Sequence, residues 1–366
     1  MTKARDIASA TTPNANAALL ATFPHKNLII NGAMQVAQRG TSATGVGGNA
    51  SYPTLDRFRQ NTSNTAGRFT MSQVAVTDLP GFANALKLEC TTADTSIAAN
   101  ELGIIMQRIE GQDLQQLKKG TSSAEPVTVS FYVKGNASAT YTLELSDNDN
   151  NRQISQTFSV TTSWNRVSLT FAGDTSGVLD DDNGNSLELN IWIHAGSDFN
   201  GGTLSTTWTS TTNANRASSS ATSFFDSTSR TLEITGLQME LGDTATPFEH
   251  RSYGDELARC QRYFEKSYSD STAPGTITIT GVIRFRAASS SVEFPLSFLV
   301  KKRSAPTVTL YSYATGASGN IRDISAGSDG AAAVASIGEI WCFPSKNTSG
   351  SDGNQYAIHF TADAEL

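Results

Sequence analysis

Short runs in which every second residue is apolar recur along this chain, and they limit what it can fold into more than any other feature. In Val127-Thr128-Val129-Ser130-Phe131-Tyr132-Val133-Lys134 the odd positions are apolar. Tyr141, Leu143 and Leu145 repeat the pattern, as do Val167, Leu169 and Phe171, and then Leu187, Leu189, Ile191 and Ile193. Successive side chains of a strand point to opposite faces, so each run describes a strand with one buried face. Turn-forming stretches such as Gly135-Asn136, Asp147 to Asn151 and Asp181 to Asn185 separate them. An all-β fold with a two-sheet sandwich, most simply a jelly roll, follows. The longest strand candidate changes parity: Leu232 and Ile234 share one face, whereas Leu237, Met239 and Leu241 share the other, with Gly236 between. A β-bulge at Gly236 would keep both sets pointing into the core.

The 366 residues are enough for about two domains. Residues 1–25 are small, polar and aperiodic, and read as an arm. Residues 26–250 carry the jelly roll, with 200–223 as a long polar surface loop bearing Trp208. A connecting helix is expected within 251–267, from Tyr253 to about Lys266. Leu257, Cys260, Tyr263 and Phe264 share one of its faces, and Asp255 and Glu256 suit its first turn. That face could dock on its own domain or meet two other copies on a threefold axis. A smaller C-terminal β-sandwich domain is expected over 268–366. Its strand candidates are Ile277/Ile279, Val282–Phe285, Val292–Leu299, Val308–Tyr313, Glu339–Phe343 and Tyr356–Phe360.

Charged residues make up 17% of the chain against a usual ~25%, with Ser, Thr and Asn in their place, which argues against a helical enzyme. The net charge is −7, and no basic cluster exceeds Lys301-Lys302-Arg303, so nucleic acid is not an expected partner. No apolar stretch is long enough to insert in a membrane, and the first residues lack the apolar core of a secretory signal. Cys90, Cys260 and Cys342 lie far apart and read as buried thiols of a chain made in a reducing compartment.

His25, His194, His250 and His359 lie in no local nucleophile motif, and C-x-x-C and P-loop patterns are absent. The chain is therefore expected not to be an enzyme. Glu89, Glu144, Glu188 and Asp198 leave glycan cleavage by paired carboxylates as an alternative. No cofactor is expected. Asp180, Asp181 and Asp182 gather hard oxygen ligands in one turn and are the candidate site for a structural calcium, against a plain solvated turn. With Leu187, Leu189, Ile191 and Ile193 committed to the core, Glu188, Asn190, Trp192 and His194 must point away from it. Tyr132, Glu144 and Arg166 lie on outward faces of other strands. This set reads as a glycan-binding platform, as an interface with a neighbouring subunit, or as a surface covered by the chain's own loops.

Asn27-Leu28-Ile29-Ile30-Asn31-Gly32-Ala33-Met34-Gln35-Val36-Ala37-Gln38-Arg39-Gly40, followed by Asp56-Arg57-Phe58, resembles the start of a domain found in bacteriophage tail-fibre proteins. Gln107-Arg108-Ile109-Glu110-Gly111, Val129 to Lys134, Leu237 to Gly242 with Thr246-Pro247-Phe248-Glu249, and Glu256 to Phe264 resemble the same family in order. So do Phe294-Pro295, Ala305 to Val308 and the terminal Ala362-Asp363-Ala364-Glu365-Leu366. The resemblance spans residues 26 to 366. It implies a virion structural protein made in the host cytoplasm, located in the phage tail, and usually homotrimeric. Its first domain would resemble the jelly rolls of carbohydrate-binding modules, some of which hold calcium. The expected partners are other copies of the chain, a virion protein bound through residues 1–25, and a host-surface glycan or protein. A fibre mounted on the capsid is the alternative within this class.

Overall fold

Period-two alternation becomes two antiparallel six-stranded sheets in the N-terminal domain. The computed structural model describes residues 26–287, 292–346 and 353–366. The first sheet runs in the order β1 (Ser42–Val46), β3 (Arg68–Ala75), β4 (Asn84–Thr92), β12 (Thr231–Leu241), β6 (Val127–Gly135) and β9 (Asn165–Phe171). The second runs β11 (Thr209–Ser210), β8 (Arg152–Val160), β7 (Ala139–Asp147), β10 (Asn185–Ala195), β5 (Leu102–Glu110) and β2 (Arg59–Ser63). Their inner faces supply one core, in which Phe131 of the first sheet meets Phe158 of the second edge to face at 5.0 Å. Phe69, Leu86, Leu143, Ile191 and Met239 are buried in the same cluster.

The parity change in β12 is a bulge. The pairing of β12 with β6 slips between Thr235 and Gln238, and Gly236 has φ +62°. A Cβ there would lie 2.7 Å from the Phe82 ring. Gly236→Ala combines left-handed strain with overpacking, so a loss of about 2 kcal/mol is expected in urea unfolding. A loss below about 0.5 kcal/mol would show that Phe82 yields freely.

The distal domain is built around β20 (Gln355–Asp363). β13 (Phe264–Lys266) and β16 (Thr307–Tyr311) pair with its C-terminal half, and β14 (Ile283–Arg286) and β17 (Asn320–Asp323) with its N-terminal half. The sheet continues from β17 through β18 (Ser328–Ala335) and β19 (Trp341–Lys346) to β15 (Leu296–Ser297). Its separate core includes Phe294, Leu310, Ile321, Tyr356, Ile358 and Phe360. Ile277 and Ile279 are not in a strand; they sit in the excursion between β13 and β14 and are 65% and 67% exposed. The arm 1–25 lies outside the described residues.

Between Ala195 and Thr209 lies a one-turn helix, α1 (Ser197–Asn200); the connecting helix is α2 (Tyr253–Gln261). α2 is shorter than its sequence pattern, because Phe264–Lys266 leave the helix to pair with β20 as β13. Aromatic residues favour strand once a partner edge is available. Ser252 caps α2 by accepting from the Asp255 N–H. The helix docks on its own chain: Cys260 is buried, Leu257 half-buried, and the Glu256 carboxylate accepts from the Asn31 N–H.

Five of the segments that resemble the fibre family, residues 27–40, 56–58, 107–111, 256–264 and 362–366, converge at the seam between the two domains. Asn31 is buried, with its side chain bonded to the backbone at Gln35, Val36 and Asp56. The Arg57 guanidinium pairs with Glu365 and lies 3.5 Å from the Tyr263 ring centroid. Arg39 lies 3.7 Å over Phe264 and pairs with Asp363 and Glu365. Arg262 grips Glu110 through two bonds of 2.8 and 2.6 Å, and Gln38 donates to the Phe264 carbonyl.

Asp56 sits inside this seam, and burial raises its carboxyl to about 6, against the pull of Arg39 and of the Gln38 donors. A raised carboxyl favours its protonated form in the folded state. Its stabilising contribution is therefore greatest at low pH and is lost as pH rises from about 4 towards 6. The buried His359 imidazole, held below its usual value by desolvation, acts in the opposite sense. The prediction is therefore a difference: melting temperature should fall more between pH 4.5 and 7 in the native chain than in Asp56→Asn. Equal slopes would remove Asp56 from the pH response.

Candidate functional site

β10 positions the outward set. Leu187, Leu189, Ile191 and Ile193 enter the core, leaving Glu188, Asn190, Trp192 and His194 on the outer face of the second sheet. Glu144 lies directly across the strand pair from Asn190. Trp192 Nε1 donates to Glu144 Oε2 at 2.8 Å, and Asn190 Nδ2 donates to the same oxygen at 3.2 Å. Glu188 accepts from Arg108 at 2.8 Å and from Asn185 at 2.9 Å.

This face is covered rather than exposed. Trp192 is 1% exposed and packs with Ile104, Met106 and Ala217, while the Phe199 ring of α1 lies tilted against it, centroids 5.4 Å apart. The cover is the polar 196–222 segment, which includes most of the 200–223 stretch that the sequence marks as a surface loop and which the structure folds over the sheet. Arg216 from this segment holds Glu144 with two bonds of 2.8 and 3.0 Å, and its guanidinium lies 5.1 Å from the Trp192 ring centroid. Burial alone would lower the Arg216 guanidinium, but the facing Glu144 carboxylate raises it above its ordinary value. Ser155 Oγ donates to the Arg216 carbonyl, and Gln153 Nε2 to Ser205 Oγ, so the segment is stitched to β8 as well. Of the readings open for Trp192, cover by the chain's own loop is what the geometry shows.

Tyr132 and Arg166 do not join this set. They pair across β6 and β9 on the first sheet, where Tyr132 packs on Phe82 at 5.3 Å and Arg166 is exposed. The platform expected from seven residues thus divides between two sheets. Asp180, Asp181 and Asp182 are exposed and do not converge. Asp182 Oδ1 accepts from the Gly184 N–H, and the Asp180 N–H donates to Asp149. Among the described residues no three His, Cys, Asp or Glu side chains gather as a metal site.

A cavity of about 180 Å³ remains between the cover and the sheet, and it reaches both Trp192 and His194. At its base His194 is bracketed by two groups that sequence inspection did not connect to it. Nδ1 lies 2.8 Å from Ser223 Oγ, and Nε2 lies 2.9 Å from Glu101 Oε2. Ser223 is 29 residues away along the chain and Glu101 is 93. Only the antiparallel pairing of β10 with β5 and the return of the cover segment bring them together. The one local signal was small: Gly103 faces His194, and a Cβ there would lie 3.1 Å from the His194 Cβ.

These features define a two-domain, all-β protein whose N-terminal unit is a jelly-roll-type sandwich with the Trp192 region of one outer face covered by its own loop. No family model matches the chain, and no curated protein matches it. Among solved structures it is similar to a family 30 carbohydrate-binding module, with 11% identity over 64% of this chain and 95% of that one, at a TM-score of 0.32. It is also similar to the enzymatically active domain of tailspike protein 4 of bacteriophage CBA120, at 12% identity, 60% of this chain and TM-score 0.31; the match spans 22% of that chain. A family 11 carbohydrate-binding module from Clostridium thermocellum matches at 10% identity over 57% of this chain and 99% of that one, with TM-score 0.29. At these TM-scores the overlays are partial, and the fold assignment rests on the strand pairing itself. Among the described residues no helix is long and apolar enough to cross a membrane.

Proposed function

We propose that this chain is a subunit of a bacteriophage fibre. In this reading it forms homotrimers in the tail, attached to the virion through residues 1–25, and binds a glycan or protein on the host surface. The observation that carries the reading is the seam. Five of the segments that resemble the fibre family, residues 27–40, 56–58, 107–111, 256–264 and 362–366, are scattered along the chain, yet they meet at one inter-domain junction. Unrelated short matches would have no reason to assemble into one buried network. A fibre needs such a joint, because a distal binding domain transmits force only through a rigid connection. Three chains would multiply weak contacts through effective concentration.

The distal domain offers the surface. Leu299, Ile340 and Trp341 are exposed on it and adjoin along the pairing of Ser297 with Trp341 and the Phe298 N–H to Ile340 carbonyl bond, and a contiguous exposed apolar patch marks an interaction site. The expected native mass by light scattering is three times that of the chain. A Leu299→Asp, Trp341→Asp double variant should lower the trimer fraction while keeping the native circular dichroism spectrum. A native protein that is monomeric at all concentrations would overturn the autonomous trimer.

A further inference from the structure

We infer that Ser223, His194 and Glu101 form a nucleophilic triad that hydrolyses short-chain carboxylic esters in the cavity beside Trp192. The protonation pattern follows from the partners. Glu101 is an acid whose other oxygen, Oε1, already accepts from the Ala98 N–H at 2.9 Å, so the ionised carboxylate acts as an acceptor at both ends. The proton on the His194–Glu101 bond therefore belongs to Nε2. In the neutral imidazole Nδ1 is then an acceptor, and the hydrogen shared with Ser223 comes from the Ser223 hydroxyl. Ser223 Oγ also accepts from the Phe225 N–H at 3.1 Å, which fixes the remaining orientation of the hydroxyl. A nucleophile beside a base, with the base oriented by a third group, is the arrangement that activates serine.

The imidazole is held at both ring nitrogens and by one aromatic contact. Its side chain is 0% exposed and that of Glu101 5%. The Phe225 ring stands edge-on at 5.2 Å. Among the described residues a second serine–histidine pair, Ser267 with His359 at 2.9 Å, lacks the third member: His359 Nε2 faces the Thr278 carbonyl at 3.1 Å, not a carboxylate.

The cavity sets the substrate class. Ser223 lines it together with Ile97, Trp192, Ala195, Ala217 and Ala221. At about 180 Å³ it is smaller than the ~300 Å³ lower end of small-molecule sites, so it takes an acyl group and leaves a larger alcohol outside. None of the residues lining it is a carboxylate, so it is unsuited to glycoside cleavage by paired acids. In the reaction Ser223 Oγ attacks the ester carbonyl carbon and its proton passes to His194 Nδ1. The C–O bond to the alcohol breaks, and that oxygen takes the proton from Nδ1. Water then attacks the acyl-Ser223 ester, again giving a proton to Nδ1. The acid leaves as Ser223 recovers its hydrogen. Ester and water become alcohol and carboxylic acid, with no redox partner or metal.

The activity does not depend on the fibre reading, because its probe carries no sugar. The full-length protein should hydrolyse p-nitrophenyl acetate faster than buffer, with a burst of p-nitrophenol as the acyl-Ser223 ester forms. Phenylmethylsulfonyl fluoride should add one sulfonyl group to the peptide that contains Ser223. Ser223→Asn keeps an N-cap acceptor for the Phe225 N–H and preserves the fold, so its melting temperature should stay near that of the native chain. Its hydrolysis should drop to the buffer rate, and His194→Gln should lose at least about 10²-fold. Native protein that hydrolyses no faster than Ser223→Asn, or that carries the sulfonyl group elsewhere, overturns the triad.

Discussion

Replacing Arg57 by Ala should remove about 3–5 kcal/mol of unfolding free energy, the cost of breaking a buried ion pair from one side. Its side chain is 1% exposed and its partner's 5%, so Glu365 would be left with a carboxylate in a site that water barely reaches. Arg39 shares that carboxylate at 3.3 Å and would hold part of the charge, which places the expectation at the lower end of the range. The face of Tyr263 would also lose its cation. One feature of the backbone separates side-chain loss from strain: Arg57 has φ +71°, a left-handed conformation that disfavours a side chain. Arg57→Gly relieves that strain as it removes the guanidinium, so it should cost less than Arg57→Ala by about 1 kcal/mol. Urea unfolding followed by both tyrosine fluorescence and far-UV circular dichroism measures the effect. Two separated transitions in the Ala variant are expected, because the domains have separate cores and this seam couples them. A loss under about 1 kcal/mol with one unchanged transition would mean that Arg262–Glu110 and the backbone bonds hold the seam unaided.

How much of this architecture was legible depended on whether a signal was local. Parity alone located β6, β7, β9, β10 and β12, and even the bulge at Gly236, because a strand's facing is fixed residue by residue. β17 and β18 escaped notice. Asn320–Asp323 and the Ala-rich Ser328–Ala335 have little intrinsic preference for strand, and pairing with neighbours makes them one. Ile277 and Ile279 show the reverse failure: two apolar residues at the right spacing look like a strand but find no partner edge. Helix α2 was legible at its capped start and not at its end, where β20 competes for Phe264–Lys266. The outward facing of Trp192 was readable; its burial was not, since alternation says nothing about what a segment 24 residues later will cover. The grouping of Ser223, His194 and Glu101 is a tertiary product with no sequence pattern of its own.

Trp192→Ala gives the second large effect and tests the sealed face directly. A tryptophan on an open surface can be truncated within about ±0.5 kcal/mol, whereas one buried in packed surroundings costs about 3–5 kcal/mol. Burial at 1% and contacts with Ile104, Met106, Ala217 and Phe199 place Trp192 in the second class. The loss should also loosen the cover, because Arg216 would keep Glu144 but lose the ring it lies against. Limited proteolysis should then cut within 197–222 much sooner than in the native chain, since local opening is what exposes a loop to cleavage. Arg216→Ala approaches the same state from the other side. It leaves Glu144, a fully buried carboxylate, with only the neutral donors of Trp192 and Asn190, and should itself cost about 3 kcal/mol or more. Because the two residues touch, their effects should not add: the double variant is expected to cost less than the sum by about 0.5–3 kcal/mol. Full additivity, or a Trp192→Ala protein as stable and as protease-resistant as the native one, would mean that the 196–222 segment is not seated on this face in solution. Trp192 would then be free to meet a ligand or another subunit.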